Sequence, residues 1–312
     1  MFGLELTLSL LAFLFGIFLL VYSSENAVKH SVLIASAWEV SPVMVGLLLV
    51  AIGTDMPEIS NSIVSSAIGH GSINVGDSIG SAFTQITLIL GIIALLSKGF
   101  KVNKKEVMVI GSCEVLALII AVSMIEKGFL SRVNGFFLVS SWFLFILISG
   151  MMVKKKHEKV IKPPKRFRHF LFATLGFAGV ALGSYIVVQS ILEFSRIFNA
   201  SEYLISFFIA SIGTSLPELV IEFTAIKKKE YELALGDIIG SSLIDASLSI
   251  GIGPMFFTNT FPGETAFTLG LYAVLASTIV VSTLTLRGKI DKKSGILFIL
   301  IYLISYTLLY QF

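Results

Sequence analysis

Residues 52–58 read Ile-Gly-Thr-Asp-Met-Pro-Glu, and residues 212–218 read Ile-Gly-Thr-Ser-Leu-Pro-Glu, each inside an otherwise apolar stretch. Pro57 has no N–H and clashes with the carbonyl four residues back, so the Gly53 carbonyl is expected to lose its helical partner. Met56, preceding the proline, is expected to leave the helical region. Thr54, Asp55 and Glu58 stand at i, i+1 and i+4, which gathers hydroxyl and carboxylate oxygens near the freed carbonyls. Thr214, Ser215, Pro217 and Glu218 repeat the arrangement. An ionised carboxylate at mid-membrane costs about 2.5–3.5 kcal/mol on insertion scales. Two such glutamates facing each other repel further unless a cation or protons neutralise them. Six to eight hard oxygens suit Ca²⁺, and neither motif holds the His or Cys that a softer metal prefers.

The apolar stretches that follow carry Gly76-Asp77 and Gly236-Asp237 near their starts, which places Asp77 and Asp237 as helix N-caps. Gly80-Ser81 and Gly240-Ser241 are small enough for close helix approach. Gln85 and Asp245 come four residues beyond each Ser, on the same helix face. Ser81, Ser241, Gln85 and Asp245 therefore line the cation site or join helices by hydrogen bonds. Glu222, one turn past Glu218, is either an acid at the entrance or the partner of Lys227. Glu114, at mid-span, has to face protein or water, as a proton-handling group or as a neutral, hydrogen-bonded acid. His30, His70, His157 and His169 lie in or beside loops and have no expected site role.

The elements that position these groups belong in a membrane. Of 312 residues, 55% are hydrophobic and 14% charged, and mean hydropathy is +0.91, against about 25% charged in soluble domains. That composition excludes a soluble enzyme, a disordered chain and, with Cys113 as the lone cysteine, a disulfide scaffold. Apolar blocks of about 20 residues mark ten spans, near 3–22, 32–65, 76–97, 106–125, 129–152, 168–195, 203–225, 236–257, 265–286 and 294–311. The first lacks a basic leader and a small-residue cleavage site, so it is expected to be a span rather than a cleaved signal. With loops alternating across the membrane, 20 of the 23 Lys and Arg fall on one side. By the positive-inside rule that side is cytoplasmic and both termini are extracellular. No nucleic-acid partner is expected, because the basic residues are confined to short loops.

The shared motifs recur at one offset of 160 without a gap: 52–58 with 212–218, Gly-Asp-Ser-Ile-Gly-Ser at 76–81 with Gly-Asp-Ile-Ile-Gly-Ser at 236–241, and Gly91-Ile92 with Gly251-Ile252. Each half holds five spans, an odd number, so the second half enters the membrane inverted. The division is 1–153 for the first repeat, with its motif at 51–91, then a basic linker at 154–167, then 168–312 with its motif at 211–251. Inverted repeats with interrupted helices at matching positions are a mark of secondary transporters, with the site at the midplane.

At these residues the chain resembles the cation/calcium exchanger superfamily, most closely the prokaryotic sodium/calcium exchanger branch. The likeness covers nearly the whole chain and rests on Gly-Thr-Ser-Leu-Pro-Glu at 213–218 and on Gly240-Ser241 with Asp245. It implies an all-α antiporter that works by alternating access, its first and sixth helices sliding over a fixed core. It implies no cofactor and no enzymatic activity. The ligands it implies for Ca²⁺ are Glu58 and Glu218, with Thr54 and Thr214. The monovalent sites map to Ala51, Asp55, Ser81, Gln85, Ser211, Ser215, Ser241 and Asp245. Two residues depart from the family pattern: Asp55 replaces a small hydroxyl, and Gln85 replaces an Asn. An extra carboxylate beside Glu58 adds like charge and favours holding a proton there, which makes H⁺ the alternative to Na⁺ as coupling ion. The Gly-Asn-x-x-Glu form of proton/calcium exchangers is absent. A channel would draw its filter from ring symmetry, and an intramembrane aspartyl protease would need Gly-x-Gly-Asp, which Asn-Val-Gly-Asp at 74–77 does not supply.

Overall fold

The computed structural model describes residues 2–35, 51–97, 99–152, 166–229 and 231–307. The expected linker at 154–167 falls almost wholly outside them, as does the 36–50 portion of the second span. Eight helices among the described residues are long and apolar enough to cross a membrane. The broken helix described from Ala51 to Ala67 and the final helix Lys292–Ser305 complete a bundle of ten, five in each inverted repeat. Polarity is turned outside-in, as lipid requires. Leu8, Leu11, Phe15, Phe136, Phe143 and Leu300 face outward, while a large share of the Ser, Thr, Asp and Glu side chains are buried.

The two halves agree at the same offset of 160. Gly71–Thr84 corresponds to Tyr231–Ile244, and each runs into a π-helical turn, Gln85–Ile89 and Asp245–Ser249. In both turns a hydroxyl bonds back one turn, from Thr87 to the Phe83 carbonyl and from Ser247 to the Leu243 carbonyl. Such back-bonding offers the backbone an alternative to its regular ladder, and π turns concentrate at functional positions. Four short strands follow the symmetry as well. Phe100–Lys101 pairs with Lys289–Ile290, and Phe129–Leu130 pairs with Asn259–Thr260. The first pair gathers basic loops: Lys104 Nζ donates to the Leu286 carbonyl at 2.6 Å, and Phe100 stacks on Tyr231 at 4.5 Å, beside the Lys227–Lys229 turn.

Two helix boundaries differ from expectation. The third and eighth spans begin at Gly71 and Tyr231, not near 76 and 236. Their first turns carry polar residues, Ser72 and Asn74 in one and Tyr231 and Glu232 in the other, so hydropathy truncates them. In the first helix one of these bonds inside the protein: Asn74 donates to the Ile250 carbonyl at 3.1 Å. Asp77 and Asp237 therefore lie six residues into their helices and are not N-caps.

The packing divides in two. Phe2–Ala35 and Arg166–Phe198, the first and sixth helices, pack along each other through Phe13, Ile17, Leu20, Val180, Val187, Ile191 and Phe194. Phe13 meets Phe194 edge-on at 5.6 Å. At Gly183 a Cβ would stand 2.9 Å from the Leu20 nitrogen, so a larger residue would part the helices. The main core, from Val75 and Phe83 through Leu118 and Leu243 to Tyr302, is a separate cluster.

Candidate cation-binding site

Each half interrupts its helix at one residue. Asp55 takes φ −75°, ψ 4° between Ala51–Thr54 and Met56–Ala67; Ser215 takes φ −84°, ψ 11° between Ser211–Thr214 and Leu216–Lys227. These are bridge-region angles, common at active sites. The expectation that Met56 would leave the helix is thus corrected: the break falls one residue earlier. Pro57 and Pro217 then stand in a first turn, where an N–H has no intrahelical partner to lose. Glu58 and Glu218 also occupy those first turns, at the positive ends of the helix dipoles.

The two breaks meet. Oxygens of Asp55, Glu58 and Glu218 all lie within 4.8 Å of one another, and the three residues are at most 1% exposed. Hydroxyls bridge the halves in mirrored pairs: Thr54 Oγ1 lies 3.3 Å from Ser241 Oγ, and Thr214 Oγ1 lies 3.3 Å from Ser81 Oγ. Ser81 also donates to Glu58 Oε1 at 3.5 Å. Gln85 Nε2 donates to Asp55 Oδ1 at 3.4 Å. Asp245 is fully buried, within electrostatic reach of Asp55, Glu58 and Glu218. Ser215 Oγ is buried without a hydrogen-bond partner. Ala51 and Ser211 are turned more to their own helices. The Ala51 carbonyl accepts from Thr54 Oγ1 at 3.1 Å and from the Asp55 N–H at 2.9 Å. Ser211 Oγ donates to the Phe207 carbonyl at 2.5 Å and lies 3.4 Å from Thr84 Oγ1.

What the arrangement can do follows from its unmet oxygens. Asp55 Oδ2, Glu58 Oε2, both oxygens of Glu218 and both of Asp245 have no hydrogen-bond partner. Two ionised carboxylates about 4 Å apart repel by roughly 4 kcal/mol at an effective dielectric near 20. Burial adds its own penalty to each. Hydroxyls that number about one per carboxylate do not offset that sum, whereas a divalent cation held by all of them does. The donor set is oxygen throughout, which is the chemistry of Ca²⁺ rather than of a thiophilic metal.

Sequence reasoning undervalued three acids. Asp77 is buried and accepts from Asn61 Nδ2 at 2.5 Å and from Thr214 Oγ1 at 3.2 Å. Asp237 lies within electrostatic reach of Asp55 and Glu218. The signal was present, since both acids precede the site serines by four residues in register. Glu222 is fully buried and makes no ion pair with Lys227, whose Nζ lies over the Phe223 ring at 4.2 Å. Glu114 is buried at a distance from these, accepting from Ser242 at 2.9 Å and Ser277 at 2.8 Å. Of the histidines, His70 pairs with Glu202 at 3.0 Å and His30 stacks on Phe172 at 5.0 Å, both away from the site.

Comparison with known proteins bears on the family and the fold. The family model described as sodium/calcium exchanger protein matches residues 8–151 and 168–311. An uncharacterised membrane protein of Methanocaldococcus jannaschii is 28% identical over 300 residues, covering 94% of this chain and 95% of that one. The sodium/calcium exchanger MaX1 of Methanosarcina acetivorans is 25% identical over 347 residues, covering 98% and 99%. Among solved structures, the sodium-calcium exchanger NCX_Mj soaked with Na⁺ and Sr²⁺ superposes with a TM-score of 0.69 at 27% identity, covering 97% of this chain and 99% of that one.

Proposed function

The chain belongs to the sodium/calcium exchanger protein family, as a multi-pass membrane antiporter of exchanger type, and we propose that it moves Ca²⁺ across the membrane in exchange for Na⁺. The observation that carries this reading is the group formed by Asp55, Glu58 and Glu218, whose oxygens converge within 4.8 Å and include four without a hydrogen-bond partner. In it Glu58 and Glu218 hold Ca²⁺ with help from Thr54 and Thr214. Na⁺ takes flanking positions among Ala51, Asp55, Ser81, Gln85, Ser211, Ser215, Ser241 and Asp245. The acids act as ligands and not as catalysts, so the protein transforms no substrate and needs no cofactor.

Exchange follows from charge. The carboxylates repel when bare and are neutral enough to cross between exposures only when filled, either by one divalent ion or by several monovalent ones. Competition for the same oxygens couples the two fluxes. The first and sixth helices, joined mainly to each other, are suited to move as one unit over the main core and open the site to alternate sides. The basic loops around Lys101, Lys227 and Lys289 face the cytoplasm in this reading, with both termini outside.

Radioactive Ca²⁺ uptake into proteoliposomes, with the voltage clamped, tests the proposal. An outward Na⁺ gradient alone is expected to drive uptake. Uptake driven only by an outward H⁺ gradient would assign the protein to proton/calcium exchange. Uptake under neither would overturn Ca²⁺ as the substrate.

A further inference from the structure

One turn from the central site, the halves part company. Glu222 lies one turn past Glu218, and Asp237 one turn before Ser241, on the consecutive helices Leu216–Lys227 and Tyr231–Ile244. The helices run in opposite senses, so both acids are displaced in the same direction, toward the face that gathers the basic loops. Each is 0% exposed, and none of their four carboxylate oxygens has a hydrogen-bond partner. Asp237 and Glu218 both lie within electrostatic reach of Glu222.

The equivalent layer of the first half, 160 residues earlier, holds Ser62 and Asp77, and both are satisfied. Ser62 Oγ accepts from the Gly253 N–H at 3.1 Å. Asp77 accepts from Asn61 and from Thr214. The position equivalent to Asn61 is Ile221, which has no donor to offer Asp237. The second half has therefore gained a carboxylate at 222 and lost the amide that would satisfy the one at 237. An apolar neighbour and a second acid are the wrong surroundings for a buried structural carboxylate. They suit a pair whose partner is a cation.

We infer that Glu222 and Asp237 form a second binding site for a hard divalent cation, Ca²⁺ in this protein, between the central site and the basic-loop face. Two carboxylates match a double positive charge and supply up to four oxygens, with water completing the shell. No sulfur or imidazole group belongs to the pair. The role in passage rests on the exchanger reading; the binding does not. An anionic pocket at this depth concentrates cations before they enter the central site from that face.

Equilibrium binding of radioactive Ca²⁺ to purified protein tests the site. The double variant Glu58→Gln/Glu218→Gln is expected to lose transport and still bind about one Ca²⁺ per chain, and adding Glu222→Ser is expected to abolish that binding. Ser is the residue that the first half accommodates in the equivalent place, and a monodisperse elution profile with an unchanged unfolding temperature shows that each variant is folded. In proteoliposomes, Glu222→Ser alone is expected to raise the Ca²⁺ concentration for half-maximal uptake from the basic-loop face by about tenfold and to leave the opposite face unchanged. No Ca²⁺ bound by a folded Glu58→Gln/Glu218→Gln protein would overturn the second site, as would binding that survives Glu222→Ser. Full transport by Glu58→Gln/Glu218→Gln would instead overturn the central assignment, while the binding arm still judges Glu222 and Asp237.

Discussion

The two repeats share a backbone and differ in charge. Both break their helix with Gly-Thr-x-x-Pro-Glu, both enter a π turn 30 residues later, and both aim a Thr at the other half's Ser. At the break, however, the first repeat has Asp55 where the second has Ser215, and in the π turn it has Gln85 where the second has Asp245. At these two positions, then, each half brings one carboxylate, from the break in one and from the π turn in the other. Gln85 donating to Asp55 shows that the two positions are in contact, so a charge at either reaches the same space. Symmetry in this molecule fixes where groups can stand. The departures from symmetry decide how much negative charge stands there and on which side.

The shared part is the first thing to break. Glu58→Gln and Glu218→Gln each keep shape and remove a charge, and each is expected to reduce Ca²⁺ uptake in proteoliposomes below detection while the protein still inserts and elutes as a single species. Because the glutamates are related by the pseudosymmetry, the two losses are expected to be alike. Wild-type flux in either variant would remove that residue from the site.

The unshared part can be sharpened next. Asp55→Ser makes the first break resemble the second and removes one carboxylate; a loss of about tenfold in uptake is expected, the equivalent of about 1.4 kcal/mol. Asp55→Ser/Gln85→Asp returns the charge, now in the π turn as in the second half, and is expected to recover most of the flux. Failure to recover would mean that the position of the carboxylate matters, not its count. A third contrast concerns packing. A Cβ at Gly80 would stand 2.5 Å from the Phe207 carbonyl oxygen, a backbone atom held in a π turn. Gly80→Ala is therefore expected to destabilise by about 1–3 kcal/mol, read as a lower unfolding temperature in detergent.

Much of this was legible in the residues. Ten spans, the inverted repeat and the meeting of two broken helices follow from hydropathy, loop charge and the 160-residue offset. What was not legible has physical causes. Hydropathy truncated the spans that start at Gly71 and Tyr231, because their first turns are polar, and the internal partner of Asn74 is not visible in a single sequence. The proline rule moved the break to Met56, because it weighs one clash, whereas a bridge-region Asp55 relieves the same contact and keeps Met56 helical. The π turns are silent in a 3.6-residue pattern, since one extra residue per turn over five residues leaves no period to detect. Lys227 was offered to Glu222 by spacing alone, and only packing shows that it turns to Phe223 instead.

The smallest effect lies far from the site, where the halves differ in a loop. Asp291 caps the last helix, accepting from the Ser294 N–H at 3.0 Å, with Arg287 at 2.6 Å and Lys289 at 3.1 Å. The equivalent residue of the first half, Ser131, caps with a neutral hydroxyl: it accepts from the Asn134 N–H at 3.2 Å. The Ser294 N–H, with the neighbouring cations, holds the Asp291 carboxyl well below the usual carboxylate range. A depressed value means that the charged form is favoured in the folded state. Its contribution is then complete above about pH 4, the value of an unperturbed Asp, and is lost as pH falls below that toward the folded-state value. Asp291→Ala is expected to cost about 1 kcal/mol, as loss of an N-cap does, at neutral pH. The same comparison repeated in acid should show the difference from wild type shrinking, whereas Ser131→Ala should show a difference that does not change with pH. A pH-independent loss at Asp291 would mean that the cap works by hydrogen-bond geometry alone, and that the charge difference between the two loops adds nothing to stability.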